Sequence, residues 1–147
     1  LGERAYNLTD IGFKYHLNDV GAAIGLGNLS AVEATLRHRA DNARAYTDAF
    51  KNVPGITLLD KPNDRVSSNW LFTILVERRD DFIRKLAENN IPSSVVHQRI
   101  DKNSIFGGPY DLPGQVEFDD KQISIPVHEA LSEDDVGLII ETVRSGW

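Results

Sequence analysis

Cysteine and methionine are both missing from this 147-residue sequence. The first absence excludes disulfides, thiolate metal sites and a cysteine nucleophile, and it fits a reducing, cytoplasmic setting. With no methionine the chain opens Leu1-Gly2-Glu3, without an initiator residue, and reads as a fragment of a longer gene product. No basic stretch followed by an apolar core opens it, and no apolar run approaches the 18 or so residues of a membrane helix, so neither a leader nor a membrane span is expected. Internal repeats and low-complexity tracts are absent as well. A metal site is not expected either, because His97 and His128 stand without ligand spacing. Positive charge is also in short supply. Residues 1–73 carry eight basic and eight acidic side chains, whereas residues 74–147 carry eight basic and fourteen acidic ones. Nucleic-acid binding needs the opposite balance, so a nucleic-acid partner is excluded.

What is present describes one folded unit with an arm in front of it. At 41% hydrophobic and 26% charged residues the chain has enough apolar surface for a core. After a mixed stretch to Leu17, Asn18-Asp19 offers an N-cap to a run with helical spacing (Val20, Ile24, Leu29, Val32, Leu36, Ala40, Ala43, Phe50). This predicts one long helix over 19–51, or two helices broken near Gly21, Gly25 and Gly27. Pro54-Gly55 stops it. Strands are predicted at 56–59, 70–76, 93–97 and 123–125, and a helix at 79–90 carries Phe82, Ile83, Leu86 and Ala87 on one face. Residues 98–121, with Gly107-Gly108-Pro109 and Pro113-Gly114, read as a long loop, and such loops are often functional. Ser132-Glu133-Asp134-Asp135 opens a last helix with Val136, Ile139, Ile140 and Val143 at helical spacing. The expected class is α+β. A small, mostly antiparallel sheet is covered by helices on one side, with a long or broken helical arm ahead of it. Residues 1–54 are the arm and linker, and residues 55–147 the compact domain.

The run from Gly12 through Phe13, Lys14, Tyr15, His16, Leu17, Asn18, Asp19 and Val20 to Leu26 resembles the segment that leads DegT/StrS aminotransferases into their small domain. That family reads Gly, aromatic, Asn or Lys, Tyr, Arg, Met or Leu, Asn, Asp or Glu, then a helix of small residues. Asn90-Ile91-Pro92 through Val96-His97-Gln98-Arg99 resembles its later turn into a strand ending in Val-His. Ile125-Pro126-Val127-His128, followed by Leu131-Ser132-Glu133-Asp134, is similar to its last strand and helix, and Gly146-Trp147 to a common ending. The match spans the chain in the right order. It implies the small domain of a fold-type I aminotransferase, a homodimer with composite active sites, pyridoxal 5'-phosphate as cofactor, and an amino-acid donor with a nucleotide-linked keto-sugar as acceptor. It also implies that the cofactor-bearing lysine, the aspartate on the pyridine nitrogen and the ring-stacking side chain lie upstream. No catalytic residue is therefore assigned within this chain, which alone is expected to be inactive.

The resemblance assigns Asn18 to the cofactor phosphate of the other subunit, a role that suits an amide beside a helix N-terminus. Read without the family, the same residue is a plain helix cap. His16 stands where the family commonly has Arg and lacks the bidentate fork of a guanidinium. Tyr15 and His16 are candidate substrate contacts, with packing as the alternative. His97, Arg99, Asp101 and Lys102 cluster where the family approaches the sugar-nucleotide. Arg99 and Lys102 would supply cations for a diphosphate, and an ordinary solvated loop is the alternative. A non-catalytic dimerisation or interaction module is the competing functional reading. Under either one, Val20, Ala23 and Ile24 should expose apolar surface that promotes self-association.

Overall fold

The protein is described by a computed structural model over residues 7–13 and 16–147. The helical arm is broken. Helix α1 spans Asp19–Leu29 and α2 spans Val32–Phe50. The break falls at Ser30-Ala31, after the glycines and not at them; Gly21, Gly25 and Gly27 all sit inside α1. Nothing lies within 4 Å of a Cβ built on Gly25 or Gly27, so among the described residues these glycines face open space. No residue of α1 is buried, although its sequence is mostly apolar, and Val20 and Leu26 keep 69% and 70% of their surface exposed. A helix that is apolar all round normally lies inside a larger structure.

Strands β1 (Ile56–Leu58), β2 (Phe72–Val76) and β3 (Gln122–Ile125) form one antiparallel sheet in that order. Ile56 pairs with Val76, and Phe72 with Ile125. The segment expected as a fourth strand makes a single antiparallel bridge, Ser94 to Ser124. Period-two alternation places Phe72, Ile74 and Val76 on the buried face of β2. The core gathers these with Ile123, Ile125, Phe82 and Leu86 of α3 (Arg79–Glu88), and Val136, Ile139 and Val143 of α5 (Glu133–Arg144). Ala43, Tyr46 and Phe50 of α2 belong to the same cluster, so the second half of the arm helix is part of the core. Each large side chain buried there stabilises the fold by roughly 1.5–3 kcal/mol.

The element ends follow local chemistry. Asn90, at φ 58°, provides the left-handed residue that stops α3, and the Ile91 N–H returns to the Leu86 carbonyl. Ser132 and Asp135 form a reciprocal capping box at the start of α5. At Gly55, φ is +81° and a Cβ would approach the Trp147 ring to 3.3 Å, so a side chain in the turn into β1 would be strained and crowded. Trp147 closes the domain by donating Nε1–H to the Glu77 carbonyl at 2.7 Å and packing edge-on against Phe82. The supposed loop over 98–121 ends in a further helix, α4 (Pro113–Lys121). Pro113 sits in its first turn, where a missing N–H costs nothing.

Candidate functional site

The expected site residues fall into two groups. Asn18 caps α1, its Oδ1 accepting the Gly21 N–H at 2.8 Å. Its Nδ2 donates to no acceptor among the described residues, and the side chain is exposed. Cap and anion donor, alternatives in the sequence, are therefore compatible in space, since they use opposite ends of one amide. His16 is exposed two residues earlier. Tyr15 lies outside the described residues. No hydrogen bond, ion pair or ring contact among the described residues joins Asn18 or His16 to the second group.

That second group is the segment from His97 to Tyr110. His97 is exposed, its ring 6.0 Å from that of Trp70, and its carbonyl accepts Gln122 Nε2–H at 2.7 Å. Two residues later the environment changes completely. Arg99 is buried and grips Asp101 with two bonds, Nε–H to Oδ1 at 2.9 Å and Nη2–H to Oδ2 at 2.5 Å. Nη2 also donates to the Tyr110 carbonyl, while the Tyr110 N–H donates to Asp101 Oδ2, both at 3.0 Å. The pair thus closes the loop on itself. Gly108 fits into this closure because a Cβ there would lie 2.6 Å from the Asp101 carbonyl oxygen. Lys102 is committed too, with Nζ 2.6 Å from Oδ2 of the buried Asp119. Both cations assigned to a diphosphate therefore have internal carboxylate partners. The Arg-x-Asp spacing was the visible signal for the first pair; Asp119, seventeen positions beyond Lys102, left no local signal for the second.

Between this loop and α4 lies a groove of about 610 Å³, walled by Ile100, Phe106, Tyr110, Leu112 and Phe118, with His97 on its lining. A second groove of about 660 Å³ opens between α2 and the β1–β2 connection, where Lys61 Nζ sits 5.5 Å above the Phe72 ring. Apolar walls with a few polar groups are what small-molecule sites share. Among the described residues no group of three or more His, Asp or Glu side chains is placed to hold a metal ion. No helix among them is long and apolar enough to cross a membrane.

The Arg99 guanidinium, joined by the Tyr110 N–H, holds the Asp101 carboxyl down at about 2. An unfolded aspartate titrates near 3.9, so the folded state binds this proton less readily than the unfolded one. The pair's contribution is then fully present above about pH 4 and is lost as pH falls towards 2. Asp101→Asn is expected to lower the urea midpoint at pH 7, with the deficit shrinking through this window and vanishing below it. A deficit independent of pH would show that the carboxylate charge is not what holds the loop.

The fold and the geometry define a class: a small α+β domain with an apolar arm, characteristic of fold-type I aminotransferases. Residues 2–144 match the DegT/DnrJ/EryC1/StrS aminotransferase family, and the chain belongs to that family. The crystal structure of the sugar aminotransferase CalS13 from Micromonospora echinospora superposes with a TM-score of 0.86 at 35% identity, over 92% of this chain and 37% of that one. The spore coat polysaccharide biosynthesis protein SpsC of Bacillus subtilis is 28% identical over 97% of this chain and 40% of its own length. The dTDP-4-amino-4,6-dideoxy-D-glucose transaminase of Shigella dysenteriae is 26% identical over 94% of this chain and 40% of its own. The chain thus spans about two fifths of the relatives it matches.

Proposed function

We propose that this chain is the C-terminal part of a pyridoxal-phosphate-dependent aminotransferase acting on a nucleotide-linked keto-sugar, and that it completes the active site of a partner subunit in a cytoplasmic homodimer. Residues 1–54 serve as the arm and linker, with the second half of α2 packed into the core of the small domain that residues 55–147 build. Family membership and the dTDP-sugar transaminase among the relatives support the substrate class. The observation that carries the reading is Asn18, whose Nδ2 is left undirected at the N-terminus of an apolar helix with no buried residue.

When bound, pyridoxal phosphate supplies the electron sink through which an amino group passes from donor to acceptor. This chain's residues fit only the phosphate end of that group. Asn18 directs Nδ2–H outward, and the α1 dipole favours an anion there. Arg99 and Asp101 line the groove and hold the loop so that Ile100, Phe106 and Tyr110 form its wall, and Arg99 and Lys102 stay candidate contacts for a diphosphate although each already has a carboxylate partner. His97, exposed beside Trp70, has no carboxylate partner among the described residues and lines the groove. Tyr15 and His16, on the arm next to Asn18, are the remaining candidate contacts. The alternative, a non-catalytic dimerisation module, draws on the same exposed α1.

The test uses the full-length parent, with the upstream segment in place. Mass spectrometry should show amination of a dTDP- or UDP-linked keto-sugar with glutamate as donor. Failure with every such acceptor would favour the dimerisation module. In the same protein Asn18→Ala is expected to weaken cofactor binding about tenfold, the effect of one charge-assisted hydrogen bond. Unchanged affinity in an absorbance titration would remove Asn18 from the phosphate site.

A further inference from the structure

Asn103 is among the most completely buried side chains of the protein, at 2% exposure, in a segment otherwise rich in exposed residues. A polar group so placed is costly unless its hydrogen bonds are made. Both are. Nδ2–H donates to the Ile100 carbonyl at 2.9 Å within the loop, and Oδ1 accepts the Leu8 N–H at 2.8 Å from the arm, 95 positions away. The contact continues on both sides. Asn7 Oδ1 accepts the Ser104 N–H at 2.8 Å, and Asn7 Nδ2–H donates to Ser104 Oγ at 3.1 Å. The Leu8 carbonyl accepts the Ile105 N–H at 3.3 Å and Ser104 Oγ–H at 3.4 Å. Two residues of the arm are thereby pinned along three residues of the loop, and the short turn Ser104–Phe106 that receives them carries a groove-wall residue, Phe106.

We propose that Asn103 is a positioning residue that clasps the arm to the groove wall, fixing Asn7 and Leu8 in one register along the loop. Exposed hydrogen bonds such as those of Asn7 compete with water and are individually weak. The Asn103 bonds, half-buried through the Asn103 side chain, are less open to that competition and set the register of the others. Its consequence for cofactor binding rests on the phosphate reading given above; the clasp itself does not.

Amide hydrogen exchange on the 147-residue chain tests the clasp. Asn103→Ala should speed exchange at Leu8 and Ile105 by about tenfold or more while α2 and α5 amides are unchanged. Asn7→Ala, which leaves the buried side chain untouched, should speed Ser104 and, more weakly, Leu8, and it carries the test if Asn103→Ala does not fold. Unchanged exchange at Leu8 in the variants that fold overturns the clasp. In the full-length parent, Asn7→Ala should raise the cofactor concentration for half-saturation several-fold, about the effect of one weakened contact, with kcat at saturation unchanged. A fall in kcat with unaltered cofactor affinity would overturn the positioning role. A parent that aminates no keto-sugar refutes the proposed function, while the exchange data still decide the clasp.

Discussion

Mixed with pyridoxal phosphate, the 147-residue chain is expected to form no borohydride-stable adduct at one specific lysine and to aminate no keto-sugar. Covalent capture needs a lysine whose amine is neutral at working pH, in a partly desolvated pocket. Lys102 is paired with the buried Asp119 at 2.6 Å, and Lys51 with Asp48 at 3.9 Å. Glu117, bonded to Lys121 at 2.8 Å, holds that amine above its ordinary range. Lys61 Nζ lies 5.5 Å over the Phe72 ring and 3.5 Å from Thr47 Oγ1. Lys85 lies on α3, half-buried. Lys14 is outside the described residues, in arm sequence with no apolar pocket signature. One charge-assisted hydrogen bond from Asn18 contributes about 1.5 kcal/mol, whereas a micromolar complex needs about 8. Peptide mapping after borohydride treatment checks this. Stoichiometric labelling of one lysine, with turnover, would sink it, and activity appearing only with the upstream segment would support it.

The second large effect concerns Tyr46. It is fully buried, stacks on Phe50 at 5.7 Å and tilts against Phe72 at 5.1 Å. Its hydroxyl has no hydrogen-bond partner among the described residues, and burial, with Asp135 adding to it, pushes its pKa well above the ordinary tyrosine value. Ring and hydroxyl should therefore act in opposite directions. Tyr46→Ala removes an aromatic ring from the centre of the core and is expected to cost about 3–5 kcal/mol. Tyr46→Phe keeps the ring and deletes only the unpaired polar atom, so it is expected to leave stability unchanged or raise it by about 1 kcal/mol. Urea melts of the two variants separate these effects. A loss above about 1 kcal/mol on Tyr46→Phe would mean that the hydroxyl makes a bond that matters.

Local chemistry made much of this protein readable before its fold was known. The Asn18 cap, the Ser132–Asp135 box, the period-two face of β2 and the helical spacing in α3 and α5 depend on neighbours a few residues apart. So do the motifs that place the chain in its family. The arm's break and α4 were harder. Glycines misdirected the first, because among the described residues α1 has nothing packed on it to decide where a kink belongs. Pro113-Gly114 disguised the second, because the same two residues serve a turn or a helix start. The tertiary structure alone located the partners of Lys102 and Asn103. In the sequence Arg99 and Lys102 are two cations on a loop; in the structure each also grips a carboxylate, and Asn103 nearby is buried. The Lys102 and Asn103 partners, Asp119 and Leu8, lie 17 and 95 positions away. Pairing over such distances is set by the closure of the whole chain, which no local pattern of residues encodes.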